Sequence, residues 1–165
     1  MVALKIEDLK VFTSKLFVGE MFDEWLLREA SITTFNVFAI DGRIRKGYFT
    51  EQEQEEKQIG ELSPWKLIRP FCFSLIKGKR LPESFQITLQ LPAGQVEKFL
   101  KTVQPDFSPE QVGGLYLHVR YEERGMYCVT GTSLKVFTLD KKIEQEWDTT
   151  VKRFLKEKEV AYTED

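Results

Sequence analysis

The sequence of 165 residues predicts an α+β fold in which an antiparallel sheet is covered by three main helices. Apolar and polar residues alternate over several short runs, as in half-buried strands, and elsewhere the apolar residues recur at helical spacing. An Asp41-Gly42 dipeptide lies between two apolar-rich runs within residues 31–49. This arrangement is typical of a type I′ turn in a tight β-hairpin. A sheet with one solvated face would bury the apolar sides of these segments together.

The N-terminal part predicts, in order, a strand over residues 2–6, a helix over 7–18, an extended run over 22–32, a bend, bulge or tight turn near 33–34, and the Asp41-Gly42 hairpin. Glu7 or Asp8 provides the N-cap of the helix, because a carboxylate accepts the free N–H groups of the first turn. Gly19 is its natural C-cap. The bend is predicted because the apolar residues change parity there.

The middle of the chain predicts an acidic helix or mobile loop over residues 51–57, a short helix over 65–69, and strands over 71–76 and 85–91. The acidic segment EQEQEEK is also compatible with a partner-binding function. Ser63-Pro64 has the form of an N-cap followed by a proline in the first helical position. Pro70 is predicted to end that short helix.

The C-terminal part predicts a helix over residues 95–103, a turn at 108–110 and a strand over 115–122. A hairpin at Arg124-Gly125 then leads into residues 126–130, and a turn at Gly131 leads into a strand over 134–138. A final helix capped by Asp140 and a frayed tail after Val160 complete the chain. Two stripes of apolar residues at helical spacing support the helices: Val96, Phe99, Leu100 and Val103 in the first, and Ile143, Trp147, Val151, Phe154 and Leu155 in the last.

The length predicts a single domain over residues 1–165. Within it the order β-α-β-β-β occurs twice, over residues 2–49 and 85–137. This order resembles the building unit of DNA sliding clamps, where two such units form a domain with helices on its DNA-facing side. A clamp lines that side with lysine and arginine, whereas the predicted helices here carry both signs of charge: Lys10, Lys15, Lys98 and Lys101 beside Glu7, Asp8 and Glu97.

Three stretches carry a second resemblance: EASITTFNVFAIDG at residues 29–42, SPWKLIRPFCFSLIKGKR at 63–80, and TGTSLKVFTLD at 130–140. In these the chain resembles a family of small bacterial proteins of unknown function, seen mainly in clostridia. The resemblance covers nearly the whole chain. It implies no activity, cofactor or catalytic residue.

The composition limits the classes of function. A formal net charge of −2 argues against a dedicated nucleic-acid-binding protein, which is usually basic. No apolar run is long enough to span a membrane, and the N-terminus lacks the form of a secretory signal, so a cytoplasmic location is predicted. Cys72 and Cys128, far apart in sequence and each within an apolar stretch, are predicted to be reduced and buried.

Two basic clusters are the main candidate binding residues: Arg43, Arg45 and Lys46 after the Asp-Gly dipeptide, and Lys77, Lys79 and Arg80 in the loop after residue 76. Either cluster is compatible with anion binding or with a role in solubility, and a shared face would favour an anionic ligand. Neither has the glycine spacing of a phosphate-binding loop. Residues 130–133 are compatible with a small anion-binding nest or with a plain strand connection.

His118 is the only histidine, and the cysteines lack metal-ligand spacing, so no metal site and no cofactor are predicted. The leading prediction is a non-enzymatic binding or interaction module whose partner the sequence does not identify. A protein partner is compatible with the sequence, nucleic acid is disfavoured, and no membrane partner is predicted. A clamp-like, nucleic-acid-associated protein that uses the basic loops is the alternative. An enzyme in which His118 acts with Cys72 or Cys128 is the third reading.

Overall fold

The computed structural model describes residues 1–164 and has one antiparallel sheet and five helices. The strands are β1 (Ala3–Ile6), β2 (Leu26–Thr33), β3 (Val37–Asp41), β4 (Ser63–Pro64), β5 (Ser84–Gln90), β6 (Val112–Glu122), β7 (Gly125–Leu134) and β8 (Tyr162–Glu164). The helices are α1 (Leu9–Phe17), α2 (Glu51–Glu56), α3 (Trp65–Ile76), α4 (Ala93–Val103) and α5 (Lys142–Glu157). The predicted α+β class is confirmed.

The sheet order is β3-β2-β5-β6-β7-β1-β8, with the short β4 paired to the end of β2 beside β3. The four longer helices, α1, α3, α4 and α5, pack against one face of this sheet. Ring contacts join the layers: Phe17 of α1 lies 5.4 Å from Phe85 of β5, and Phe99 of α4 stacks on Trp147 of α5 at 5.8 Å. The two indole N–H groups at the centre of the core donate to backbone carbonyls, Trp65 to Leu16 and Trp147 to Tyr116.

Several elements form where the sequence predicts them, because local pattern and end signals agree. Asp8 caps α1 by accepting from the Val11 N–H at 3.1 Å. Helix α4 buries its predicted stripe, and α5 buries Ile143, Trp147, Val151 and Leu155. The hairpin between β6 and β7 turns through Glu123 and Arg124, which adopt positive φ angles of 49° and 64°.

The predicted hairpin at Asp41-Gly42 is wrong. The turn between β2 and β3 lies at residues 34–36, since Thr33 pairs with Val37. Gly42 follows β3 and hydrogen-bonds to Arg28 at 2.9 Å, and a Cβ there would lie 1.9 Å from the Leu27 carbonyl oxygen. The glycine therefore serves a close backbone approach and not a positive φ angle.

The prediction of a helix that ends at Pro70 and a strand over 71–76 is also wrong. Helix α3 is continuous through Pro70, and Pro64 occupies its N-cap position without a side-chain hydrogen bond. Residues packed in or against the core recur at helical spacing in this segment: Trp65, Ile68, Cys72 and Leu75. Burial of that stripe outweighs the single hydrogen bond that Pro70 cannot donate.

Three predictions near the C-terminus need correction. Gly131 lies within β7, so residues 130–133 form neither a turn nor an anion-binding nest. β7 ends at Leu134, and residues 135–138 do not extend the sheet. The tail is not frayed, because residues 162–164 pair with β1 as an edge strand. Asp140 does accept the Lys142 N–H at 2.9 Å, at the start of α5.

The element order β-α-β-β occurs twice, as β1-α1-β2-β3 and β5-α4-β6-β7. The third strand predicted for each unit is not formed. Residues 43–49 contain one isolated bridge, Arg43 to Leu62, and a short 3-10 turn at Lys46–Tyr48. Across residues 1–164, none of the helices has the length and apolar content needed to cross a bilayer.

Candidate binding face of the sheet

The side of the sheet opposite the helices is called the open face below. It carries polar and aromatic side chains from five adjacent strands: Glu29 and Ser31 of β2, Gln86, Thr88 and Gln90 of β5, Tyr116, His118 and Arg120 of β6, Tyr127 of β7, and Lys5 of β1. They occupy this side because β6 alternates strictly, with Leu117, Val119 and Tyr121 buried under the helices.

Three rings on the open face lie against glycine backbone. A Cβ on Gly114 would stand 2.4 Å from the Tyr116 ring, and one on Gly125 would stand 2.9 Å from the Tyr127 ring. A Cβ on Gly131 would stand 2.9 Å from Nε2 of His118. Each glycine therefore leaves room for a ring to lie along the strands, which covers the bare backbone. The result is a broad aromatic surface.

Arg28 reaches the open face through a β-bulge. The register of β2 against β5 shifts between Leu27 and Glu29, so Arg28 is the extra residue of the bulge. Its guanidinium lies 5.6 Å from the centroid of the Tyr116 ring, a cation–π contact. The bulge thus places a cation beside the aromatic surface.

Lys5 and Arg120 are the other cations of this surface, and they flank Tyr127, since Tyr127 pairs with both residues across its two neighbouring strands. Within residues 1–164, Lys5, Arg28 and Arg120 form no ion pair with a carboxylate. Glu29 and Glu122 are the acidic side chains nearest in register. The cations of the open face are therefore free to meet an anion.

The open face also holds two buried polar atoms that lack a hydrogen-bond partner, Gln90 Oε1 and Arg120 Nε. Among residues 1–164 no other buried side-chain nitrogen or oxygen is in this state. A buried unpaired polar group costs about 1–3 kcal/mol, so native proteins seldom keep one without a purpose. One atom is an acceptor and the other a donor, on neighbouring strands.

His118 is held by Thr88, whose hydroxyl lies 3.0 Å from Nδ1. Burial, with a smaller contribution from Arg120, lowers the pKa of His118 below its usual 6.5. The imidazole is consequently neutral at pH 7. Thr88 is 3% exposed, so its hydroxyl is not accessible to a substrate as a nucleophile.

The predicted alternative of a catalytic pair between His118 and a cysteine is wrong. Cys128 lies on the helix-covered face of β7, opposite the side that carries His118, and Cys72 lies in α3; both thiols are fully buried. Burial raises the pKa of Cys72 to about 11, and it raises the pKa of Cys128 further. Neither thiol is therefore activated as a thiolate.

The first predicted basic cluster lies at the end of β3. Arg43 and Arg45 both donate to Asp41, at 3.0 and 3.4 Å. The hydrogen bond from Arg43 lowers the pKa of the Asp41 carboxyl to about 2, so one of the two arginine charges is neutralised and the group keeps one net positive charge. Lys46 is exposed in the 3-10 turn. Arg43 also lines a cavity of about 490 Å³ at the β2–β3 margin of the open face, together with Arg28 and Gln86.

The second predicted cluster, Lys77, Lys79 and Arg80, is exposed in the loop that follows α3. The first cluster lies near the beginning of α3, because Arg43 pairs with Leu62 just before that helix. A helix of 12 residues is about 18 Å long, so the structure does not bring the two clusters together. Anion binding by either cluster stays a prediction. Within residues 1–164 no group of three or more side chains is arranged to hold a metal ion.

The alternation of residues 115–122 predicts that Tyr116, His118 and Arg120 share the polar side of a strand, but it assigns no function to that side. A local signal was present, because Gly114 and Gly125 each stand two residues before a tyrosine, and so on the same side of their strand. Arg28 had no such signal, since its position depends on the bulge.

Fold and face together define an α+β protein with a helix-covered side and an open, aromatic and cationic sheet side. The chain belongs to the family of unknown function DUF5721, which matches residues 15–163. This confirms the predicted resemblance to a family of unknown function. No curated protein and no solved structure matches the chain.

Proposed function

We propose that this protein is a non-enzymatic binding module whose binding surface is the open face. The observation that carries the proposal is the set of three rings laid on glycine backbone, beside three cations that form no ion pair among the described residues. The Thr88 hydroxyl beside His118 is buried and is therefore not an accessible nucleophile.

The proposal is tested by photo-crosslinking in living cells. Benzoylphenylalanine is introduced at Gln86, an exposed residue of the open face, and in a matched variant at Lys98, an exposed residue of α4 in the helical layer. Irradiation should give discrete adducts with the probe at Gln86 and none with the probe at Lys98. Adducts that are equal at both positions, or absent at Gln86, would contradict the proposal.

A second candidate function is association with a polyanion through the loop after α3, in a clamp-like protein. It is favoured by the exposure of Lys77, Lys79 and Arg80, none of which is ion-paired among the described residues 1–164. Replacing all three by glutamine should abolish binding to heparin or duplex DNA at low salt. Unchanged retention of the triple variant would rule this candidate out. For both candidates we propose a bacterial cytoplasmic setting.

A further inference from the structure

We propose that the occupant of the open face is single-stranded nucleic acid. This inference rests on the function proposed above and names its ligand class. Two independent features of the face support it: the arrangement of the rings and the arrangement of the cations.

The rings suit unpaired bases. Tyr116 and His118 follow one another on the same side of β6, with ring centroids 6.1 Å apart. That spacing is nearly twice the about 3.4 Å rise per nucleotide in a stacked strand, so successive bases would separate and each would lie on its own ring. Flat aromatic side chains on an open sheet are a recurring platform for single-stranded RNA and DNA. In a duplex the base faces are covered by neighbouring pairs, so the rings favour a single strand.

The cations lie along the path of the rings. Arg28 is beside Tyr116 at one end, Arg120 is next to His118 on β6, and Lys5 is beside Tyr127 at the other end. From β2 to β1 the path crosses four strand spacings of about 4.8 Å, roughly 19 Å in all. Each of the three unpaired cations can contact one phosphate, so about three phosphate contacts are expected.

The binding experiment uses fluorescence anisotropy with the full chain and labelled oligo(dT) and oligo(U), each about ten nucleotides long. Both should bind at low salt, more tightly than a duplex of the same length. For three phosphate contacts the slope of log K against log salt should be about −2. Preference between the two probes distinguishes DNA from RNA as the ligand. Equal binding of the duplex, or displacement by polyglutamate as effective as that by unlabelled oligonucleotide, would overturn the inference.

Matched variants locate the binding. Tyr116→Leu keeps Gly114 covered but removes the aromatic face, and it should weaken binding about tenfold, whereas Tyr116→Phe should stay within about twofold of the parent. The exposed pair Lys5→Gln/Arg28→Gln should reduce the salt slope by about 1.4. The pair Lys10→Gln/Lys98→Gln removes the same number of positive charges from the helical side and should leave the slope unchanged. Equal effects of the two pairs, or none from Tyr116→Leu in a protein with the parent's melting temperature, would overturn the inference.

The two proposals fail in different ways. If the Gln86 adducts described above persist after nuclease digestion and disappear with protease, the open face is a binding surface but its ligand is a protein. If no adducts form at Gln86, the binding face itself is wrong. Adducts removed by nuclease would support both proposals.

Discussion

Replacing Gly42 by alanine tests the corrected position of the β2–β3 turn. The added Cβ would lie 1.9 Å from the Leu27 carbonyl oxygen and 2.6 Å from its carbon, both backbone atoms that cannot rotate away. Ordinary contact would require Gly42 to move from β2 by roughly 1.5 Å. That movement would break the 2.9 Å hydrogen bond from Gly42 to Arg28 and disturb the one from Ser63 to Gly42.

The cost follows from these contacts. Two backbone hydrogen bonds contribute about 0.5–1.5 kcal/mol each, and overpacking a buried position adds about 1–3 kcal/mol. We therefore expect Gly42→Ala to lower the free energy of unfolding by about 3 kcal/mol, which for a chain of this length lowers the melting temperature by roughly 6–12 °C. Urea unfolding followed by circular dichroism measures the first quantity, and calorimetry measures the second.

Two matched substitutions make the result decisive. Gly94→Ala, in α4 with nothing within 4 Å of its Cβ, should raise the free energy of unfolding by about 0.5–1 kcal/mol. Gly42→Asn distinguishes a turn at Asp41-Gly42 from a turn at residues 34–36. In a type I′ turn asparagine tolerates a positive φ angle and would be nearly neutral, whereas here its Cβ would meet the same backbone as alanine. A stable Gly42→Asn protein would refute the close approach.

Three further predictions concern other parts of the fold. Glu123→Asn/Arg124→Gly should raise the free energy of unfolding by about 1 kcal/mol in urea, because both residues have positive φ angles that asparagine and glycine adopt more easily; a loss of stability would contradict the turn geometry. Cys72 and Cys128 should not react with Ellman's reagent in the folded protein but should both react in urea, and rapid native labelling would contradict their burial. The pKa of His118 in the folded protein is below its usual 6.5, so as the pH falls from 6.5 the unfolded chain binds more protons than the folded one, and the free energy of unfolding should fall. His118→Gln should remove this component of the pH dependence. An unchanged profile would contradict the lowered pKa.

The sequence predicts elements well where the spacing of apolar residues and the end signals agree. Helix α1 has its cap at Asp8, and helix α4 buries the predicted residues. The prediction for helix α3 is wrong because its residues fit both the alternation of a strand and the spacing of a helix. Phe71 and Phe73 suggest alternation, yet both are exposed, and Cys72 between them is the buried residue. Pro70 then added a false stop signal, since a proline's cost can be exceeded by burial of a full helical stripe.

Gly42 shows a different limit. Glycine at this position correctly indicates a special backbone position. However, glycine has two uses, a positive φ angle and a close approach to another chain segment. The first is a local property that the Asp-Gly dipeptide suggests. The second depends on Leu27, fifteen residues earlier, and on the register that brings it opposite Gly42. Only the three-dimensional pairing distinguishes the two.

The open face also depends on the pairing register of the strands, so the sequence alone does not predict it. Tyr116 and Tyr127 are linked to their glycines by local spacing, but the contact between His118 and Gly131 exists only because Tyr116 pairs with Gly131 across β6 and β7. A one-residue slip would turn one strand's side chains to the helical side. Arg28 joins the rings only through a bulge that a regular strand would not have. Arg28→Gln should keep the pairing of β2 and the hydrogen bond from Gly42 to the carbonyl of residue 28, yet remove the cation beside Tyr116. The surface of the open face can thus be altered separately from the fold's core.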